Sequence, residues 1–461
     1  MLGIVSEMEN PKKKGKQVVR SAGEVSLLAR SIEQGDLLAQ HRPTAMLSGA
    51  SNTKLFTTAA ALTLWGPEHR FETRFASDAP VRDGVLDGDL WVIGGGDPTW
   101  TARYGFGDSG SELLRRVVAA LAGRGIRSIR GKVVLDERLF VDEPYHPGWP
   151  RRDRGEPHAL DVGPLLLERD ALLITARGDS DGAQVSLDPP CTLFELKSTV
   201  RVGAPGSASS IRVARSGDEI RVSGSVAKGA SAGATIYSLQ PGLTFGGALL
   251  AALADRGILV SGGLRRAAEG ELAPSHVLVL VPSQVPLREI VKVTNEASDN
   301  LFADMLLKSL GARFEGEGSF AAGVRAVRGA LQRLGVDASG YGAVDGSGLA
   351  ADSKLSAATT VELLTAMARS PYSQIFRDSL ASGGEAGGTL RKRFLEPAFQ
   401  GRLFAKTGSL DGATALSGYV ISASGETIAF SCITNYDERK GGGFKPDEDR
   451  IVRALREVND R

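Results

Sequence analysis

The middle of this 461-residue chain is composed differently from its two ends, and that contrast limits the folds open to it. Near the N-terminus, "EVSLLARSIEQGDLLAQHRP" reads as two strands joined around Glu33 to Asp36. An apolar helix follows over residues 52–65 and stops at Gly66-Pro67, because glycine accepts the left-handed cap and proline cannot continue the helix. Near the C-terminus, "RLFAKTGSL" and then "ALSGYVISASGETIAFSCITN" read as a strand and an antiparallel hairpin, with a last helix near Asp447 to Val458. Residues 150–242 are instead rich in Gly, Ser, Pro and Val, with short alternating runs such as "SIRVARSGDEIRVSGSV", the pattern of a small β-domain. Hairpins and helices at both ends of an unlike middle predict one discontinuous domain carrying an insertion. The chain is also longer than a single hydrophobic core usually fills.

Within the insertion, Phe71 to Val92 reads as short strands with turns at Arg82-Asp83-Gly84 and Asp87-Gly88, ending in "WVIGGGDPTWT". Two later segments echo each other: "AALAGRGI" from Ala119 and "AALADRGI" from Ala251. The reading adopted is two helices with the same glycine stop before a strand, rather than an internal repeat. After about residue 284, "SDNLFADMLLKSLG" and "AAGVRAVRGALQRLGV" are amphipathic helices expected to end at glycine.

Composition excludes several functions. The formal net charge of +1 gives no bulk attraction to nucleic acid or anionic lipid, and no apolar run has the length of a membrane span. His41, His69, His146, His158 and His276 lack ligand spacing, so no metal, no cofactor and no serine–histidine triad is expected. Cys191 and Cys432 fit no metal spacing and read as buried thiols, with their pairing left open. The start is basic at Lys12, Lys13, Lys14 and Lys16, but only Leu2 to Val5 resembles the apolar part of a secretory signal, which is too short.

Three polar clusters carry the chemistry. Ser51 and Lys54, three apart at the head of the apolar helix, share a face, and the helix N-terminus favours developing negative charge. Lys54 can serve as a base only if its pKa is lowered by desolvation or a second cation, for which Lys406 is the candidate. Lys406-Thr407-Gly408 ends a strand, where Lys406 suits a substrate carboxylate and Gly408 lets substrate lie against the strand edge. The backbone N–H groups of Ser409 and Ser51 would form an oxyanion hole. Ser298-Asp299-Asn300 adds a hydroxyl for proton relay and an amide to hold a substrate amide. Each cluster alone has a plain alternative: Ser51 as a helix N-cap, Ser298 and Asn300 as a helix start, Lys406 as a solvated strand end. Ser225 and Lys228 also match Ser-x-x-Lys, but in β-like sequence where no helix aligns them. The conjunction of Ser-x-x-Lys, Ser-Asp-Asn and Lys-Thr-Gly, in that order, is the set found in penicillin-binding proteins and class A β-lactamases.

From residue 23 to the end the chain resembles the D-alanyl-D-alanine carboxypeptidase/endopeptidase family, the low-molecular-mass class C penicillin-binding proteins. The segments carrying the resemblance are "ASNTKL", "GGGDPT", "NEASDNLFADMLLK", "DGSGL", "GGTLRKR" and "AKTGSLDGATALSGYV", together with the long gap between Ser51 and Ser298. The resemblance implies an α+β, β-lactamase/transpeptidase-like domain, an antiparallel sheet flanked by helices, with two nested and mainly β insertions. The expected divisions are a flexible segment 1–22, a catalytic domain 23–75 and 284–461, an α/β domain 76–149 and 243–283, and a small β-rich domain 150–242. It further implies Ser51 as acylated nucleophile, Lys54 as base, Ser298 and Asn300 in proton transfer and alignment, and Lys406 and Thr407 on the terminal carboxylate. The implied partners are peptidoglycan stem peptides ending in D-Ala-D-Ala, or D-Ala cross-links, and β-lactams that trap Ser51. The implied location is periplasmic or otherwise extracytoplasmic.

Two segments depart from the family pattern. "DGSGL" continues as Ala350-Ala351-Asp352 where relatives carry a Ser-Arg-like pair, and "GWPRRDRGEPHALDVGP" replaces an aromatic, asparagine-rich stretch. Two rival readings share the motifs. A class A β-lactamase needs a Glu-x-x-x-Asn element, and Glu156-Pro157-His158-Ala159-Leu160-Asp161 lacks the asparagine. A non-catalytic penicillin- or muropeptide-binding scaffold would label with penicillin without releasing D-Ala.

Overall fold

The computed structural model describes residues 1–10, 13–14, 17–18, 22–440 and 442–458. The chain divides into two compact units, one made of residues 1–69, 145–152 and 286–461, the other of 70–144 and 153–285.

The first unit is built on an antiparallel sheet of six strands among the described residues. Its order is Ala381–Ser382, Leu403–Leu410, Ala413–Ile421, Thr427–Tyr436, Gly23–Ser31 and Leu37–His41. The N-terminal and C-terminal hairpins are joined where Gly23–Ser31 pairs with Thr427–Tyr436, Leu27 opposite Cys432. Alternation decides the faces. Val25, Leu27, Ala29, Phe430 and Cys432 form a core with Ile451, Val452 and Leu455 of the terminal helix Lys445–Arg456. On the helix Ala357–Ala368, the Leu364 carbonyl accepts a 2.7 Å hydrogen bond from the Tyr419 hydroxyl of the sheet.

The N-terminal segment departs from the expectation of a flexible 1–22. Leu2–Glu9 is a helix, and its Val5 and Met8 are fully buried in the core shared with the terminal helix. Two apolar side chains one helical turn apart suffice to dock so short a helix, each contributing roughly 1.5–3 kcal/mol on burial. Lys12 and Lys16 lie outside the described residues.

Thr53–Trp65 is the apolar helix, capped by Gly66 at φ 78°. Asn300–Phe314 passes through Gly311 instead of ending there. A Cβ on Gly311 would sit 2.7 Å from the Gly323 nitrogen, so this glycine serves close packing with the helix Phe320–Arg333.

The second unit holds a five-stranded sheet, in the order Leu264–Arg266, Val133–Asp136, Leu90–Ile93, Glu72–Ala76 and Val277–Pro282. The echoed segments have equivalent places. Each ends a helix, Gly110–Gly123 or Pro241–Asp255, and turns at a glycine, Gly125 at φ 83° or Gly257 at φ 81°. The strands that follow are parallel neighbours in the same two sheets, Ser128–Ile129 beside Leu259–Val260 and Val133–Asp136 beside Leu264–Arg266.

The second unit holds most of both expected insertions. Residues 171–237 form two three-stranded sheets around a small core of Leu172, Ile174, Ile220 and Val222. They join the same unit as the helix Pro241–Asp255, because the Thr192 N–H bonds to the Gly247 carbonyl at 3.1 Å and Cys191 packs against Gly247. Cys191 and Cys432 are both free and buried. Residues 145–152, expected within the insertions at the boundary between 76–149 and 150–242, pack with the first unit.

Candidate active site

Ser51 lies in a tight turn, Ala50–Asn52, that leads directly into the helix Thr53–Trp65. Asn52 occupies the N-cap position without a side-chain capping bond, so the capping alternative for Ser51 is not realised. The Ser51 hydroxyl oxygen instead accepts a 2.9 Å hydrogen bond from Lys54 Nζ.

Lys54 is fully buried and also donates to Asn300 Oδ1 at 2.6 Å and to the Ser347 carbonyl at 2.8 Å. This arrangement has a chemical consequence. A neutral amine has two N–H donors and one lone pair. With the two donors fixed on Asn300 and Ser347, the lone pair is left facing the Ser51 hydroxyl.

Burial is the main cause that lowers Lys54, to about 8, against the opposing charges of Asp304, Asp345 and Asp299. Of the two expected causes, desolvation is the one that acts on Lys54, and Lys406 is not among the groups that shift it. Lys406 is itself fully buried and pushed well below its ordinary value, first by desolvation and then by the charge of Lys54. It is therefore not a solvated strand end.

Lys406 Nζ donates to Ser298 Oγ at 2.8 Å and to the Thr407 carbonyl at 3.0 Å. Ser298 adopts φ 61°, a left-handed conformation uncommon for a residue with a side chain. Asp299 next to it is the N-cap, accepting the Phe302 N–H at 3.0 Å, which starts the helix at Asn300. Strain at Ser298 and a cap at Asp299 thus aim the Ser298 hydroxyl at Lys406 and the Asn300 amide at Lys54. All three motifs are brought together by hydrogen bonds.

Thr407, Gly408 and Ser409 lie on the strand Leu403–Leu410, with Ser409 exposed. A Cβ on Gly408 would come within 2.6 Å of the Gly49 carbonyl and 3.2 Å of Ala50 Cβ, so the strand backbone rests against the turn that holds Ser51. A Cβ on Gly348 would fall 1.9 Å from the Ala50 carbonyl. The nucleophile's turn is gripped between two backbones that only glycine permits. Ser225 and Lys228, at the end of the strand Glu219–Ala227, have no such setting.

Sequence reading missed the acidic floor of the site. Asp345 accepts the backbone N–H groups of Gly348 at 2.9 Å and Ala350 at 2.8 Å, the Ser353 hydroxyl at 2.6 Å and Trp149 Nε1 at 2.8 Å. It holds the loop whose Ser347 carbonyl receives Lys54. Asp304 takes the Gly346 N–H at 2.8 Å and the Ser347 N–H at 3.1 Å, and burial followed by the charge of Asp345 raises it well above the carboxylate range. Asp304 is four residues after Asn300, so both point from one helix face, a spacing that was readable.

A buried lysine set against a serine at the head of a helix, beside an antiparallel sheet, is what an acyl-transferring serine enzyme needs when lysine replaces histidine. Residues 17–455 match the model of the D-Ala-D-Ala carboxypeptidase 3 (S13) family, and the chain belongs to that family. It is 32% identical over 408 residues to the D-alanyl-D-alanine carboxypeptidase of Actinomadura sp. strain R39, covering 84% of this chain and 73% of that one. The D-alanyl-D-alanine carboxypeptidase DacB of Haemophilus influenzae is 25% identical over 432 residues, covering 90% of this chain and 86% of the relative. In fold, the chain is similar to the crystal structure of penicillin binding protein 4 from Haemophilus influenzae. The TM-score is 0.79 at 22% identity, with 98% of this chain and 99% of that one covered. A second structure of that protein, complexed with a novel β-lactam, matches with a TM-score of 0.73 at 23% identity over 98% of each chain.

Proposed function

We propose that the protein is a serine D,D-peptidase that works through an acyl-enzyme on Ser51. The observation that carries the reading is the Lys54 amine, buried, lowered to about 8 and 2.9 Å from the Ser51 hydroxyl. Neutral Lys54 takes the Ser51 proton as Oγ attacks the carbonyl of the penultimate D-Ala. The negative charge that develops on the carbonyl oxygen meets the backbone N–H groups of Ser51 and Ser409. The peptide C–N bond then breaks, and the leaving amine takes a proton through Lys54 and the Ser298 hydroxyl. Lys406 and Thr407 hold the terminal carboxylate, with Asn300 aligning the acyl-side amide. Water then attacks the ester, its proton passes to neutral Lys54, and Ser51 is regenerated.

The substrates are peptidoglycan stem peptides ending in D-Ala-D-Ala and D-Ala cross-links, which places the work outside the cytoplasm. Among the described residues, no helix is long and apolar enough to cross a membrane. A β-lactam carries a carbonyl and a carboxylate suited to the same groups and acylates Ser51; the similar Haemophilus influenzae protein has been solved complexed with a β-lactam. Release of free D-Ala from a tripeptide ending in D-Ala-D-Ala tests the reading. Penicillin labelling without any D-Ala release would mark a binding scaffold instead.

A further inference from the structure

Between two stretches of the second unit, residues 145–152 cross the first unit as a strap. Its middle is anchored by Trp149, buried against Phe320 with ring centroids 5.6 Å apart and donating Nε1–H to Asp345 at 2.8 Å. Gly148 lies against Ala350, where a Cβ would be 3.5 Å from the Ala350 methyl. The strap's last residue is Arg152, whose guanidinium meets the Asp411 carboxylate at 2.5 Å. Asp411 forms the turn directly after the strand Leu403–Leu410.

These anchors are on the two walls that grip the Ser51 turn. The loop of Asp345 carries Gly348 against the Ala50 carbonyl, and the strand carries Gly408 against the Gly49 carbonyl and the Ala50 methyl. Direction along the strand fixes which end of the groove the strap closes. If Lys406 and Thr407 hold the terminal carboxylate and the Ser409 N–H faces the scissile carbonyl, the acyl side of the substrate leaves toward Leu410 and Asp411. This ordering rests on the peptidase reading above.

We propose that Arg152 and Asp411 form a clasp across the acyl-side exit of the groove, which makes them specificity residues that select short acyl chains over long ones. The pair suits a gate because it is weak. Arg152 and Asp411 are 72% and 63% exposed, and exposed ion pairs shift an equilibrium by no more than about fivefold. A long peptide can open the clasp at that small cost, and added salt opens it further.

The test compares a short acyl group, N-acetyl-D-Ala-D-Ala, with a stem pentapeptide ending in D-Ala-D-Ala. Arg152→Ala and Asp411→Asn are each expected to raise the long-to-short ratio of kcat/KM up to about fivefold. Salt raises that ratio in the parent protein and not in the variants. The charge swap Arg152→Asp with Asp411→Arg restores the parent ratio. An unchanged ratio in every variant overturns the clasp, as does a lower ratio in Arg152→Ala that the swap fails to recover, since Arg152 would then hold the peptide. The same ratio measured as Kd in a Ser51→Ala background separates the two claims. If the parent protein turns over neither peptide, the peptidase reading fails alone, and the binding ratio decides the clasp.

Discussion

Lys54 and Asn300 are 246 positions apart in sequence, yet the lysine Nζ is 2.6 Å from the asparagine Oδ1. That contact ties the start of one buried helix to the start of another and fixes one of the two donors of the neutral amine. Asn300→Ala frees the amine to turn from Ser51. A loss of about 100-fold in kcat is expected, with a smaller change in KM and a Tm lowered by the roughly 1–3 kcal/mol that an unpaired buried donor costs. Steady-state kinetics beside a thermal melt check it.

The pH dependence follows from the sign of the Lys54 shift. Burial lowers the lysine to about 8, so the neutral, proton-accepting form grows as pH rises through that value. The second-order rate of acylation by benzylpenicillin should therefore climb from pH 6 and level off above about 8. Asn300→Asp sets a carboxylate beside the ammonium, stabilises the charged form, and should move the rising limb to higher pH. Stopped acylation reactions across a pH series give both curves.

Gly408→Ala tests the grip on the nucleophile. The new methyl meets the Gly49 carbonyl at 2.6 Å, backbone that can yield only by moving the Ser51 turn. A displacement near 1 Å at reacting atoms costs on the order of 100-fold. Acylation should fall by about that factor while the far-UV circular dichroism stays the same.

Asp345→Ala removes the acceptor of two backbone N–H groups, the Ser353 hydroxyl and the Trp149 indole. Each buried donor left unpaired costs roughly 1–3 kcal/mol. A loss of at least 3 kcal/mol is expected in urea unfolding, together with loss of activity, because the Ser347 carbonyl no longer holds Lys54.

Much of this arrangement was legible in the sequence, for local reasons. The apolar run ending at Gly66, the alternation of Ala413–Ile421 against Thr427–Tyr436 and the three motifs all write themselves within short windows. What escaped notice is contact between single side chains far apart. Trp149 and Asp345 are separated by 196 positions, and nothing periodic marks either as the partner of the other. Which of desolvation and a second cation lowers Lys54 stayed open in the sequence, because burial of a lysine depends on packing from several segments. The N-terminal helix was missed for a related reason. Only Val5 and Met8 of Leu2–Glu9 are fully buried, with Ile4 packed partly against the same core, too few to make a pattern.

Met8→Ala measures what that helix contributes. Met8 is fully buried beside the terminal helix, and truncating such a side chain costs about 2–5 kcal/mol. A lower Tm with unchanged kcat per folded molecule is expected.

The most direct measurement is the intact mass of the protein after exposure to benzylpenicillin, taken for the parent chain and for Ser51→Ala. The account predicts a single covalent adduct on the parent chain and none on the alanine variant. An adduct of the same mass and yield on Ser51→Ala would contradict it.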